Sequence, residues 1–269
     1  MQHRLRLALA AALLAGCFSP VDDAFPVGRS GHYVSLTGPH FADEPPLYFE
    51  VVMPKDEVKA VLFLFHGNGD DGPGFCTTVG ADSLAVSNGV VSVCPSAVGG
   101  AWSTSPEAER AYIEAIMEVV DRHVDASAPR LGLGFESGAD VSFRLVCESE
   151  LAFEVLGAVG TGWPQDPAKV AGCLPRSSFS FWYAMGTADP LFPDSHANFD
   201  GWRAFSTGPL RERGFPIPDD VAPGIRRWTK GLFPLSAYVE YLGLGHTWPG
   251  RDSQLDAATA FLDFAAIRP

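Results

Sequence analysis

Short apolar runs alternate along the chain with longer stretches of helical periodicity. Several of the short runs are apolar at successive positions, which is typical of strands buried on both faces. Strands are predicted at 47–53, 60–65, 90–93, 131–135, 155–159, 179–184 and 237–241, and helices at 75–87, 106–125, 138–148 and 253–266. Alternating strands and helices predict an α/β fold with a mostly parallel sheet covered by helices on both faces.

The first residues resemble an export signal. Basic residues Arg4 and Arg6 precede an apolar segment, 7–15, that is too short to span a bilayer. The segment ends in Leu14-Ala15-Gly16-Cys17, which resembles the bacterial lipobox, where the cysteine is acylated and becomes the first mature residue. We therefore expect residues 1–17 to be a lipoprotein signal and Cys17 to anchor the protein to a bacterial membrane or the cell surface. Ordinary cleavage, which would release a secreted protein, is the alternative.

The rest of the sequence predicts a tether followed by one domain. Residues 18–30 contain Pro20, Pro26 and Gly28 without apolar periodicity, which is typical of a surface tether. Residues 31–269 show no internal repeat or low-complexity break, so they are expected to form a single domain.

The charge balance excludes one class of partner. The chain has 32 acidic and 19 basic residues and a formal net charge of −13. Loss of the signal would remove basic residues and make the protein more acidic still. Such a charge opposes contact with a phosphate backbone, so nucleic acid is not an expected partner.

Four cysteines remain when Cys17 is set aside, namely Cys76, Cys94, Cys147 and Cys173. An even number in an exported chain predicts two disulfides, for which three connectivities are possible. Pairing of Cys76 with Cys94 and of Cys147 with Cys173 is favoured, because each bond would tie a helix to a nearby strand or loop. The spacings match no zinc pattern, so no metal site is predicted. No cofactor is expected.

Two glycine-rich segments follow predicted strands. After the strand at 60–65 comes His66-Gly67-Asn68-Gly69-Asp70-Asp71-Gly72, where glycines let backbone amides turn towards a developing oxyanion. After the strand at 131–135 comes a sharp-turn pattern in which Gly134 and Gly138 lie two residues on either side of Glu136. The spacing therefore places Glu136 where a hydrolase of this kind carries its nucleophile. If Ser137 held that position instead, bulky Phe135 would flank the turn.

An acid and a histidine follow later strands in the order used by serine hydrolases. Asp189 lies in Gly186-Thr187-Ala188-Asp189-Pro190, after the strand at 179–184. His246 lies between glycines after the last strand, where a proton shuttle has room to move. The combination of loop, turn, aspartate and histidine is more specific than any one of them.

These motifs resemble the exported polyhydroxybutyrate depolymerase and feruloyl or acetylxylan esterase family of α/β-hydrolases. The resemblance covers residues 45–268, and its most specific part is the run Gly245-His246-Thr247-Trp248-Pro249-Gly250. It implies an α/β-hydrolase fold with Asp189 and His246 as acid and base. It also implies an oxyanion hole made by the amides near Asn68 and Ser137. The family has serine at the position of Glu136, so the inherited esterase activity is in question.

Three hypotheses follow for Glu136. In the favoured one, Glu136 pairs with His246 and holds it as an imidazolium between two carboxylates, so that the site is structural or binds a ligand. In the second, Glu136 attacks a saturated carbon, as aspartate does in dehalogenase and epoxide hydrolase relatives of this fold, or activates water as a base. In the third, Ser137 or another hydroxyl is the nucleophile and ordinary ester hydrolysis survives.

The expected ligand is a small-molecule or polymeric ester, or one linked to carbohydrate. Trp102 and Trp248 lie on loops at the predicted active face and are the candidate substrate-binding residues.

Overall fold

The strands owe their place in the sheet to apolar side chains buried on both of its faces. The computed structural model describes residues 25–35, 46–97, 100–102, 106–148, 153–162, 180–193, 219–230, 236–250 and 255–267. The described strands are β1 (Gly28–Val34), β2 (Leu47–Met53), β3 (Ala60–Phe65), β4 (Val90–Pro95), β5 (Arg130–Phe135), β6 (Val155–Val159), β7 (Ser180–Gly186), β8 (Asp219–Ala222), β9 (Ile225–Lys230) and β10 (Ser236–Tyr241). The described helices are α1 (Gly72–Val79), α2 (Ala81–Asn88), α3 (Pro106–Val120), α4 (Ser137–Glu148) and α5 (Ala257–Phe264).

The described strands form one ten-stranded sheet in the order β1-β2-β4-β3-β5-β6-β7-β10-β9-β8. Its central strands, from β4 through β10, are parallel, whereas β1, β2, β9 and β8 pair antiparallel at the two sides. The predicted α/β class and mostly parallel sheet are confirmed. Because β3 and β5 are neighbours, with Phe65 opposite Gly134, the loops that follow them begin side by side.

Helices cover both faces of this sheet. Along β3, Phe63 and Phe65 face a core cluster shared with α3 and α4, while Leu62 and Leu64 face a second cluster shared with α1, α2 and α5. All six residues of β3 are buried. A strand that is buried on both faces of the sheet needs apolar side chains at successive positions, and this apolar run is the pattern that predicted β3.

The predicted helix at 75–87 is wrong in one respect, because the structure contains two helices there. The chain takes a left-handed conformation at Gly80, with φ of 77°, and this ends α1 and begins α2. Asp71 caps α1, because its side chain accepts a hydrogen bond from the Gly74 N–H at 2.7 Å. The cap places the helix start at Gly72, directly after the glycine-rich loop.

The predicted boundary between tether and domain needs correction. β1 begins at Gly28 and pairs antiparallel with β2, and the Phe25 side chain lies in the core at 7% exposure. Residues 25–30 therefore belong to the folded domain rather than to a tether. Two further strands, β8 and β9, are not among the predicted strands; they form a charged hairpin beside β10.

The predicted disulfide between Cys76 and Cys94 is present and ties α1 to β4. Cys17, Cys173 and the side chain of Cys147 lie outside the described part of the chain, so the second disulfide and the lipid anchor stay predictions. Within the described residues, the helices are too short or too polar to serve as membrane spans.

Candidate active site

Glu136 occupies a sharp turn between β5 and α4. Its φ is 51°, in the left-handed region that a residue other than glycine enters at a cost of about 1–2 kcal/mol. Two backbone hydrogen bonds hold the turn: the Glu136 N–H donates to the Val159 carbonyl at 3.0 Å, and the Ala139 N–H donates to the Glu136 carbonyl at 3.1 Å. Strained residues of this kind concentrate at functional sites, where the surrounding structure holds them in place.

The flanking glycines are required by close backbone contacts. A Cβ atom on Gly134 would lie 2.4 Å from the Ala139 nitrogen, and one on Gly138 would lie 2.2 Å from the Phe65 carbonyl oxygen. Neither position accepts a side chain unless the backbone moves. The spacing that pointed to Glu136 thus has its cause in the packing of α4 against β3 and β5.

The Glu136 carboxylate reaches the glycine-rich loop after β3. Its Oε2 accepts a hydrogen bond from the Asn68 backbone N–H at 2.9 Å. Gly67 makes room for this contact, because a Cβ atom there would lie 2.8 Å from the same oxygen. An amide that was predicted to stabilise an oxyanion therefore binds the protein's own carboxylate.

His66 and Trp102 hold this loop in place through hydrogen bonds and ring packing. His66 is fully buried, its Nε2 accepts from the Ala97 N–H at 2.9 Å, and its Nδ1–H donates to the Gly67 carbonyl at 2.7 Å. Burial lowers the pKa of the His66 imidazole, which keeps the ring neutral. The Trp102 indole N–H donates to the His66 carbonyl at 2.8 Å, and the two rings lie 4.9 Å apart. In the described structure Trp102 therefore positions the loop that carries Asn68.

The structure brings His246 and Asp189 to the same edge of the sheet as Glu136. The Nδ1–H of His246 donates to Asp189 Oδ2 at 2.8 Å. Asp189 has a side chain only 1% exposed, and its other oxygen accepts from the Leu191 N–H at 2.9 Å. The Nε2 atom of His246 faces Glu136 Oε1 at 3.9 Å, which is an ionic distance rather than a hydrogen bond.

Aromatic rings fix the orientation of the imidazole. Phe135 lies 5.5 Å from the His246 ring and Phe192 lies 5.8 Å from it, centroid to centroid. Trp248 is 7% exposed and packs against Phe75 and Phe135. Its ring therefore lies in the interior beneath the site and is not exposed on the predicted active face. Phe135 and Phe192 are not among the predicted site residues, because an isolated phenylalanine in a sequence does not reveal which residues it contacts.

Ser137, the alternative nucleophile, is the first residue of α4. Its Oγ is buried and has no hydrogen-bond partner among the described residues. Nucleophilic serines are activated by a hydrogen bond to the base, and Ser137 has no such bond to His246. The Glu136 side chain is 27% exposed, whereas the Ser137 hydroxyl is buried.

The sheet, the turn at Glu136 and the Asp189–His246 pair define an α/β-hydrolase fold, and comparison with solved structures agrees. The chain is similar to the acetyl xylan esterase from Aspergillus awamori, with a TM-score of 0.64 and 16% identity, covering 83% of this chain and 96% of that one. It is also similar to the structure of FAE, with a TM-score of 0.52 and 12% identity, covering 84% of this chain and 85% of that one. No family model and no curated protein matches the sequence.

Proposed function

We propose that the protein is an α/β-hydrolase-fold protein of the esterase type that does not carry out the serine esterase reaction. Glu136 holds the position of the nucleophile, and its carboxylate is bound by the Asn68 amide. That single hydrogen bond, 2.9 Å long, carries the proposal. This hydrogen bond depends on the position of Glu136 at the turn and on the direction of its side chain.

The chemistry of a carboxylate explains why Glu136 would not support the serine esterase reaction. A serine alkoxide forms an ester intermediate that water opens readily, whereas a carboxylate that attacks an acyl carbon would form an anhydride and is the poorer nucleophile. An oxyanion hole works by stabilising negative charge that develops only in the transition state. Here Glu136 Oε2 already occupies the Asn68 amide, so the carbonyl oxygen of a bound ester would have to displace it.

The resemblance to the depolymerase and feruloyl or acetylxylan esterase family supports a ligand of the same kind. We infer a small-molecule or polymeric ester, or an ester linked to carbohydrate, as the ligand class. We also infer export and attachment to a membrane through Cys17, because the first 17 residues resemble a lipoprotein signal.

The test is hydrolysis of p-nitrophenyl acetate and butyrate by the full-length protein and its variants. Wild type is expected to give background rates, while Glu136→Ser gains turnover. Adding His246→Ala to Glu136→Ser should lower the gained rate by about 100-fold or more, because general base catalysis contributes at least that much. Wild-type turnover that disappears in His246→Ala would contradict the proposal, and Ser137→Ala would then show whether the neighbouring hydroxyl is responsible.

A further inference from the structure

We propose that the site at Glu136 binds the ammonium group of a small organic amine that also carries an apolar part. This inference rests on the proposed function, because it needs Glu136 to remain an ionised carboxylate that forms no covalent bond with a ligand. It adds the chemical class of the ligand. An ester bound at this site would present an amine to Glu136 and not its carbonyl oxygen.

The two oxygens of the Glu136 carboxylate have different surroundings. Oε2 accepts the Asn68 N–H at 2.9 Å, whereas Oε1 lies 3.9 Å from His246 Nε2, beyond hydrogen-bond distance. The side chain of Glu136 is 27% exposed, so a ligand can reach it, while the Nε2 atom of His246 is buried. A carboxylate has about four lone-pair positions for hydrogen bonds. Oε1 is therefore the acceptor that this site offers to a ligand.

An exposed carboxylate oxygen selects ligand groups that donate hydrogen bonds. A carbonyl or ether oxygen brought against Oε1 would place two acceptors in contact, which is repulsive. The Asn68 N–H could have offset that repulsion, but it is already bound to Oε2. The ligand group at Oε1 must therefore carry an N–H or O–H donor. An ammonium and a hydroxyl both meet this requirement, and the charge of the site decides between them.

The charge of the site favours the ammonium. As ionised carboxylates Glu136 and Asp189 contribute −1 each and His246 contributes 0 or +1, so the three groups together carry −2 or −1. The loops at this edge of the sheet add Asp70 and Asp71, and their described residues include no lysine or arginine; these residues are 66–72, 96–97, 100–102, 160–162, 187–193 and 242–250. A cation offsets the negative charge, whereas a hydroxyl leaves it in place. Hydrogen bonds between an ammonium and a carboxylate are also about twice as strong as neutral ones.

Apolar side chains beside the carboxylate define the rest of the ligand. Phe135 and Phe192 lie against the His246 ring at centroid distances of 5.5 and 5.8 Å, and both are partly exposed. Leu191, next to Phe192, is 58% exposed. Aromatic rings pack against apolar groups and attract a cation that approaches their faces. A phenyl or short alkyl group attached to the ammonium therefore suits these surroundings.

The first test compares three probes of one shape on the full-length wild type, followed by fluorine-19 NMR titration. The probes are 4-fluorobenzylamine, 4-fluorobenzyl alcohol and 4-fluorobenzoate, which share a ring and differ in the charge of the polar group. The amine should bind saturably. The alcohol should have a Kd about tenfold higher, because its hydrogen bond to Oε1 lacks the charge of the ammonium. The benzoate should show no saturable binding, because the site is already negative.

A pair of matched variants then locates the binding. Glu136→Gln has the same size without the charge and should raise the Kd of 4-fluorobenzylamine by about tenfold or more. Glu118→Gln changes the net charge by the same amount at an exposed position near the end of α3, and it should leave the Kd unchanged. A Kd for the amine that is equal in wild type and in folded Glu136→Gln overturns the proposal. If Glu136→Gln does not fold, the comparison of amine with alcohol on wild type decides.

The outcomes separate this inference from the proposed function. Absence of saturable amine binding by wild type, or equal Kd values for the amine and the alcohol, overturns the inference and leaves the missing serine esterase reaction untouched. Hydrolysis of p-nitrophenyl esters by wild type would instead refute the proposed function. The binding of 4-fluorobenzylamine would still be judged by its own titrations, because these measure no turnover.

Discussion

The substitution Gly138→Ala should disrupt the turn that carries Glu136. The new Cβ atom would lie 2.2 Å from the Phe65 carbonyl oxygen, 2.5 Å from the Phe65 carbonyl carbon and 2.6 Å from the His66 carbonyl oxygen. All three are backbone atoms at the end of a central strand, so the clash cannot be relieved by rotating a side chain. Overpacking of this kind costs about 1–3 kcal/mol, and the backbone contacts place Gly138→Ala at about 3 kcal/mol.

Thermal and urea unfolding can measure this cost. At about 2–4 °C for each kcal/mol, the Tm of Gly138→Ala should fall by about 6–12 °C. The matched control is Gly245→Ala beside His246, where the nearest atom to an added Cβ, the Ala188 carbonyl oxygen, lies at 4.0 Å. This control should change the free energy of unfolding by less than about 0.5 kcal/mol. Equal Tm values for Gly138→Ala, Gly245→Ala and wild type would refute the close approach of α4 to β3.

Three further predictions concern stability. Reduction of the Cys76–Cys94 disulfide, whose cysteines are 18 residues apart, should lower the free energy of unfolding by about 3 kcal/mol in denaturant titrations, and an unchanged midpoint would contradict this. Arg29→Ala removes the 2.6 Å ion pair with the buried Glu50 carboxylate. It should lower the free energy of unfolding by about 1–3 kcal/mol in the same assay, whereas Arg29→Lys should lower it less. Burial lowers the pKa of His66 in the folded state. The stability that the neutral ring contributes is therefore present above the unfolded pKa near 6.5 and falls as the pH drops below that value. His66→Gln should flatten this part of a plot of Tm against pH, and a slope equal to that of wild type would contradict a buried neutral ring.

The central sheet was predictable because its strands are apolar on both faces. β3 and β6 have the bounds that the sequence predicts, and every residue in them is buried. β1, with the sequence GRSGHYV, and β9, with IRRWTK, were missed. Both lie in the antiparallel outer parts of the sheet, where pairing with a neighbour determines the structure and an apolar run is not needed.

The position of Glu136 was predictable, but the direction of its side chain was not. Two glycines at fixed spacing reveal a backbone turn, because close approach excludes a Cβ atom wherever the turn occurs. The side chain of Glu136 can rotate about several bonds, and its choice of the Asn68 amide depends on a loop 68 residues away in sequence. Trp248 shows the same limit: it lies on the expected loop, yet its ring packs into the core.

The most direct test of the central claim is the intact mass of the protein after incubation with diisopropyl fluorophosphate, which phosphorylates activated serines. We expect no adduct on wild type and one diisopropylphosphoryl group on Glu136→Ser, because the Asp189–His246 pair would then activate a hydroxyl at the turn. A wild-type adduct mapped to Ser137 would contradict the proposed loss of serine esterase chemistry, since it would show an active serine nucleophile beside Glu136.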